Sequence, residues 1–222
     1  MKIDYEDKLQ SVIKAFGDNG ILDNIIIIGS WATYFYVKIF DGYIPSIRTL
    51  DLDCYIPKTK NIRVIKSVGE ALKPINFDQI FDYMTEKSKF ISPEGFEIEF
   101  LAKLKRDKSQ IVKVDSLGVN AEQLGNLDIF NEGYIEVDFE GYSVKVASPS
   151  AYIMQKILIS KKRSEDKYNK DLESIILVYE EVKKNKQHMA DFKSIIASLG
   201  KNTKKRYKNY IYDNNLEFPS LE

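Results

Sequence analysis

The sequence predicts an α+β (α/β) protein: a mixed β-sheet flanked by helices, followed by a helical C-terminal domain. Strand-like segments, either apolar or alternating, are interleaved with helical patterns between residues 25 and 146. From residue 149 to about residue 199 the apolar spacing is helical throughout. Ser148 and Pro149 form a helix-start signal between the two regions. We therefore predict two domains, residues 1–146 and 147–222.

The elements of the predicted sheet domain follow from local patterns. Apolar residues at helical spacing predict a helix over 5–16, and the β-branched run 25–28 predicts a buried strand. A helix is expected from Trp31 to about Phe40 with Ser30 as its N-cap, and the stripe Ile62, Ile65, Val68 and Leu72 predicts another over 61–73. Residues 50–56 alternate and predict a strand, several strand-like pieces lie between 80 and 114, and 134–146 predicts a hairpin turning at Gly141.

Composition narrows the class of protein. The chain has 222 residues, of which 44% are hydrophobic and 30% charged, and these values exclude chain-wide disorder and a collagen-like or coiled-coil rod. The net charge is zero, but residues 147–222 carry 15 Lys and Arg against 10 Asp and Glu. This region could contact an anion, and a solvated lysine-rich helical surface explains the excess equally well.

The single cysteine and single histidine limit the possible sites and compartments. They exclude an internal disulfide and any metal site that needs two histidines. The sequence starts without the apolar segment of a signal peptide, and its longest aliphatic run is too short to span a bilayer. We therefore expect a cytoplasmic protein with no membrane attachment.

The first candidate site feature is the turn Gly29-Ser30 between the predicted strand and helix. Glycine allows the backbone to approach a ligand closely, and the free N–H groups at a helix start bind anions such as phosphate. The same turn is also common for purely topological reasons. Neither a G-x-G-x-x-G nor a G-x-x-x-x-G-K-[ST] pattern is present.

The second feature is the pair Asp51 and Asp53 on the alternating strand. Residues two apart on a strand share a face, so both carboxylates point the same way, about 6–7 Å apart at Cα. A divalent cation would relieve their repulsion, and Mg²⁺ is commonly held by one or two carboxylates plus substrate phosphates. The alternative is the solvated face of an edge strand. Glu99, on a later acidic strand, is the candidate third acid, and Glu97 on the same face competes with it.

Together these pieces resemble the DNA polymerase β-like nucleotidyltransferase superfamily. The matching motifs are Ile28-Gly29-Ser30, Leu50-Asp51-Leu52-Asp53-Cys54 and Ile98-Glu99-Phe100, listed in chain order. Arg48 and Thr49 resemble the surroundings of the aspartate pair in small prokaryotic members, including those of toxin systems. Lys156, Arg163 and Lys170-Asp171 resemble the helical segment that faces the nucleotide in that group. The resemblance covers about residues 20–180.

The resemblance implies a mechanism and a set of roles. Two Mg²⁺ ions would lie between Asp51, Asp53 and the triphosphate of an NTP, and Glu99 would bind one metal or act as the base for the incoming hydroxyl. The other implied nucleotide-binding residues are Gly29, Ser30, Arg48, Thr49, Lys156, Arg163 and Lys170. The acceptor could be a protein, an RNA or a small molecule, and the base and the oligomeric state stay open. The competing hypothesis is a non-catalytic binding module with this fold, such as a toxin–antitoxin component.

Overall fold

The computed structural model describes residues 5–45, 50–105 and 110–220. Its helices are α1 (Tyr5–Asp18), α2 (Val68–Leu72), α3 (Pro149–Ile159), α4 (Glu165–Lys184), α5 (Lys186–Ser198) and α6 (Lys201–Asp213). Its strands are β1 (Ile26–Ile28), β2 (Asp51–Ile56), β3 (Asp78–Phe81), β4 (Ser88–Ile91), β5 (Glu97–Lys103), β6 (Ile111–Val114), β7 (Val119–Leu124), β8 (Tyr134–Phe139) and β9 (Tyr142–Ala147). A 3₁₀ helix spans Ser30–Lys38.

The strands form one mixed sheet. Seven of these nine strands follow the order β3-β4-β5-β2-β1-β9-β8, and the other two, β6 and β7, pair with each other. The central strand β2 pairs antiparallel with β1 and parallel with β5. β4 pairs with the first half of β5 and β7 with its second half, so these two strands share one edge of β5. The prediction of a mixed sheet with flanking helices is confirmed.

Each face of the sheet is covered by its own hydrophobic core. Leu52, Cys54 and Ile56 of β2 pack on one side with the apolar stripe of α1 and with α2. Tyr55 points to the other side, into a core built largely from α3, α4, α5 and α6. This alternation is what the spacing of residues 50–56 predicts. It directs Asp51 and Asp53 toward the C-terminal helices.

The first C-terminal helix, α3, begins where the sequence predicts. Ser148 is the N-cap of α3 and accepts a hydrogen bond from the backbone N–H of Ala151, with Pro149 in the first turn.

The second core contains side chains from both sides of residue 147. The division into domains 1–146 and 147–222 therefore stays a prediction.

Two local expectations are wrong. The helix expected over 61–73 forms only as α2, because Ser67 and Glu70 make a capping box that starts it at Val68. Ile65, expected on the buried stripe, is 77% exposed. Ser30 is not an N-cap: Gly29 occupies that position, without a side-chain capping bond, and Ser30 is the first residue of the 3₁₀ helix.

In the described part of the chain, no helix is long and apolar enough to cross a membrane.

Candidate active site

The turn after β1 brings the chain against Asp53. Ile28 pairs with Asp53 in the β1–β2 register, which places Gly29 beside the Asp53 carboxyl. Gly29 has φ 67° and ψ −159°, a backbone region that is essentially restricted to glycine. A Cβ added at Gly29 would overlap Oδ2 of Asp53. Glycine is therefore required both by the backbone conformation and by the carboxylate.

Gly29→Ala should destabilise the protein and displace Asp53. The backbone conformation alone costs about 1–3 kcal/mol for a residue with a side chain. The overlap with Oδ2 also pushes the carboxylate out of its position. Urea unfolding and Mg²⁺-dependent NTP binding together measure both effects.

Gly141→Ala is the matched control for this substitution. Gly141 also has a positive φ, 81°, but an added Cβ would meet no atom of the described chain within 4 Å. It should lose stability from backbone strain and keep nucleotide affinity. Equal losses of affinity in the two variants would contradict the proposed contact between Gly29 and Asp53.

The acidic residues of neighbouring strands lie side by side. In the parallel pairing of β2 with β5, Asp51 is opposite Glu97 and Asp53 is opposite Glu99. Burial, and then the negative charges of Glu99 and Asp51, raise the pKa of Asp53 to about 7. Lys156 and Lys87 act in the opposite direction without cancelling the effect. A cation at this position would favour the ionised form of Asp53.

The raised pKa predicts a pH-dependent stability. A carboxyl group whose folded-state pKa is about 7 and whose unfolded value is about 3.9 binds its proton more tightly when folded. Stability of the metal-free protein should therefore fall as the pH rises from about 4 to about 7. Asp53→Asn removes this penalty and should be more stable than wild type by about 4 kcal/mol at pH 8, with the advantage lost near pH 4. Denaturant unfolding in a chelator tests this.

A variant at the far edge of the sheet controls for a general effect of removing a carboxylate. Asp138 is an exposed strand residue of β8. Asp138→Asn should show no comparable gain at pH 8. An equal gain in both variants would contradict a penalty specific to Asp53.

A buried ion-pair cluster lies across from Asp51 and Asp53 and forms the other wall of the site. Lys156 on α3 is 4% exposed and donates to Oδ1 of Asp171 on α4. Arg163 donates from Nε to the other Asp171 oxygen at 2.9 Å. The Lys156 ammonium also lies 5.1 Å from the Tyr152 ring centroid, and the Tyr152 hydroxyl lies 2.6 Å from Ser174 Oγ. Burial lowers the pKa of Lys156, while Asp171 opposes that shift.

The first turns of α4 extend this wall toward solvent. Lys167, Lys170, Asp171 and Ser174 share one helix face, because residues three and four apart are neighbours on a helix. Lys167 and Lys170 are both exposed. The outer part of the wall is therefore basic, and the ion pair with Asp171 anchors it to the core.

These elements enclose one open cleft of about 210 Å³. Its lining comprises Gly29, Ser30, Asp51, Asp53, Lys156, Arg163, Lys167, Lys170, Asp171, Glu173 and Ser174. A pair of carboxylates thus faces a basic wall, with the start of a 3₁₀ helix at one end. This arrangement can hold a polyanion through a divalent cation on one side and through ammonium and guanidinium groups on the other.

Glu99 is differently placed from the other predicted residues. It neighbours Asp53 in the sheet but does not line the cleft. Its Oε2 accepts a hydrogen bond from Lys87 at 2.8 Å, and Glu97 is paired with Lys89 at 2.7 Å. Within residues 5–45, 50–105 and 110–220, no three His, Cys, Asp or Glu side chains are arranged to hold a metal ion.

The cleft therefore brings together seven of the predicted site residues: Gly29, Ser30, Asp51, Asp53, Lys156, Arg163 and Lys170. Arg48 and Thr49 lie outside the described residues. Sequence reasoning missed Lys167 and Ser174, although their spacing from Lys170 and Asp171 on one helix face could have identified them. It also missed Lys87, for which no local pattern gave a signal.

Comparison with known proteins identifies the family. A family model described as Nucleotidyltransferase matches residues 7–197. The chain belongs to this nucleotidyltransferase family. Membership supports nucleotidyl transfer as the general activity and a nucleotide as substrate. No curated protein is similar enough to count as a relative.

Two solved structures support the nucleotidyltransferase fold. An antigenic nucleotidyltransferase-like protein from Paracoccidioides brasiliensis has a TM-score of 0.55 at 18% identity, covering 94% of this chain and 89% of that one. The antibiotic-resistance factor ANT(2'')-Ia has a TM-score of 0.51 at 10% identity, covering 96% and 99%. At these identities the similarity establishes the fold of this nucleotidyltransferase.

Proposed function

We propose that the protein transfers a nucleoside monophosphate from an NTP to a hydroxyl acceptor and releases pyrophosphate, using Mg²⁺. The observation that carries the proposal is the cleft in which Asp51 and Asp53 face a basic wall beside the Gly29-Ser30 turn. Family membership supports the general reaction. The acceptor, whether a protein, an RNA or a small molecule, is left open.

The residues present fit Mg²⁺. Asp51 and Asp53 supply hard oxygen ligands on one strand face, and Mg²⁺ typically takes one or two carboxylates plus substrate phosphates. The raised pKa of Asp53 indicates a carboxylate whose charge lacks full compensation from its surroundings. When bound, Mg²⁺ would neutralise charge on the reacting phosphate and on the leaving pyrophosphate. The sequence resemblance implies two ions at this site, with Glu99 either binding one of them or acting as the base.

The chain's own groups position and neutralise the triphosphate. Backbone N–H groups at Gly29 and Ser30 would bind the terminal phosphates at the start of the 3₁₀ helix. Lys156 and Arg163, both fixed by Asp171, would offset phosphate charge without reorganising, and Lys170 would act from the rim. Phosphoryl-type transfer depends mainly on positioning the reactants and on stabilising charge. The groups named here are of the types that supply both.

Pyrophosphate release separates transfer from simple binding. The protein is incubated with Mg²⁺, each of the four NTPs labelled at the α-phosphate, and one acceptor class at a time: cell protein, RNA or small hydroxyl compounds. The proposal predicts acceptor-dependent pyrophosphate release and label transfer, both absent in Asp51→Asn/Asp53→Asn. Mg²⁺-dependent nucleotide binding without release for any acceptor class would instead favour the non-catalytic binding module.

A further inference from the structure

Lys87 joins two carboxylates at the edge of the candidate site. Its Nζ lies 2.8 Å from Oε2 of Glu99 and 2.7 Å from Oε2 of Glu122. The Lys87 side chain is only 21% exposed, so its charge is poorly screened by solvent. Strand pairing fixes the three backbones, because β5 pairs with both β4 and β7. The ammonium therefore lies at the position where a cation would be shared by these acids.

We propose that Lys87 takes the place of a second metal ion: it holds Glu99 in position, divalent cations bind at Asp51 and Asp53 alone, and Glu99 is not a metal ligand. This inference rests on the proposed function. A metal ion at Glu99 would have to displace the ammonium from Oε2, or else bind next to a positive charge. The proposal is consistent with the absence, in the described parts of the chain, of three acids arranged to hold one metal ion.

The neighbouring pair Lys89 and Glu97 provides an internal comparison. Lys89 lies two residues from Lys87 and is bonded to one carboxylate at 2.7 Å. Lys87 is bonded to two carboxylates, one of which faces Asp53 across the strand pair. Removing Lys87 thus leaves two acids without their counter-cation, of which Glu99 neighbours Asp53, whereas removing Lys89 leaves only Glu97 without one. Lys87 is a positioning residue on this account.

Counting bound Mn²⁺ by electron paramagnetic resonance, with a non-hydrolysable NTP, tests the inference. Wild type should bind one Mn²⁺ per chain, at Asp51 and Asp53. Glu99→Gln should also bind one Mn²⁺, with an affinity within about 2-fold of that of wild type. Lys87→Met should gain a second, weaker ion, because Glu99 and Glu122 lose their counter-cation. Lys89→Met and Lys87→Arg should keep one.

Two results would overturn the inference: two ions in wild type with one lost in Glu99→Gln, or a folded Lys87→Met that still binds a single ion. If Lys87→Met does not fold, Glu99→Gln decides alone. Different results would contradict the proposed function. These are a wild type without Mn²⁺-dependent nucleotide binding, or an Asp51→Asn/Asp53→Asn protein that binds the nucleotide as well as wild type does.

Discussion

Asp51→Asn/Asp53→Asn is expected to lower Mg²⁺-dependent NTP affinity at least about 100-fold, a change of about 2.7 kcal/mol. The two carboxylates are the only acidic groups on β2, and both line the cleft. Asparagine keeps their size and removes the charge that would hold the metal between protein and triphosphate. Titration calorimetry with each NTP, with and without Mg²⁺, measures the change.

Asp138→Asn serves as the control in this experiment because it alters an exposed strand carboxylate of β8 at the far edge of the sheet. Its nucleotide affinity should equal that of wild type. An Asp51→Asn/Asp53→Asn protein that is folded and binds Mg²⁺-NTP within a few-fold of wild type would refute the role proposed for the pair.

Asp171→Ala is expected to destabilise the protein by about 3–5 kcal/mol, because it leaves the Lys156 ammonium buried without its partner. Arg163 loses its bond to the same carboxylate. Urea unfolding at pH 7 measures the loss. Lys156→Met/Asp171→Leu should recover most of the stability, since a charge-free pair carries no such penalty.

The pair Lys103 and Asp128 is the matched control for this cluster. Its N–O distance is 3.0 Å, and its side chains are 55% and 50% exposed. Asp128→Ala should cost less than about 1 kcal/mol, as for other exposed pairs. Equal losses in Asp128→Ala and Asp171→Ala would mean that burial of Lys156 does not determine the cost.

Much of the fold could be predicted because its signals are local. The alternation of residues 50–56 fixes which side chains of β2 enter each core, and the Ser148-Pro149 signal marks the start of α3. The turn between β8 and β9 uses Glu140 and Gly141, both with positive φ. Each of these features depends on a few adjacent residues.

The errors arose where a local signal was overlooked or outweighed by another. Apolar spacing suggested one helix over 61–73, but the Ser67–Glu70 capping box was already present in the sequence and indicates a later start. Asn61 adopts a positive φ of 61°, which is incompatible with a helix at that residue.

The site was only partly predictable for a different reason. Gly29, Asp51 and Asp53 follow from motifs, whereas Lys87 reaches Glu99 and Glu122 through the pairing of three strands. The β5–β7 pairing joins segments that β6 separates along the chain, and no local pattern encodes it. The contact between Lys156 and Asp171 is likewise set by the packing of α3 against α4.

A crystal structure with Mg²⁺ and a non-hydrolysable NTP tests the central claim most directly. The account predicts metal coordinated by Asp51 and Asp53, with the triphosphate between the Gly29-Ser30 turn and the wall formed by Lys156 and Arg163. A triphosphate bound outside this cleft, or a metal that contacts neither aspartate, would contradict it.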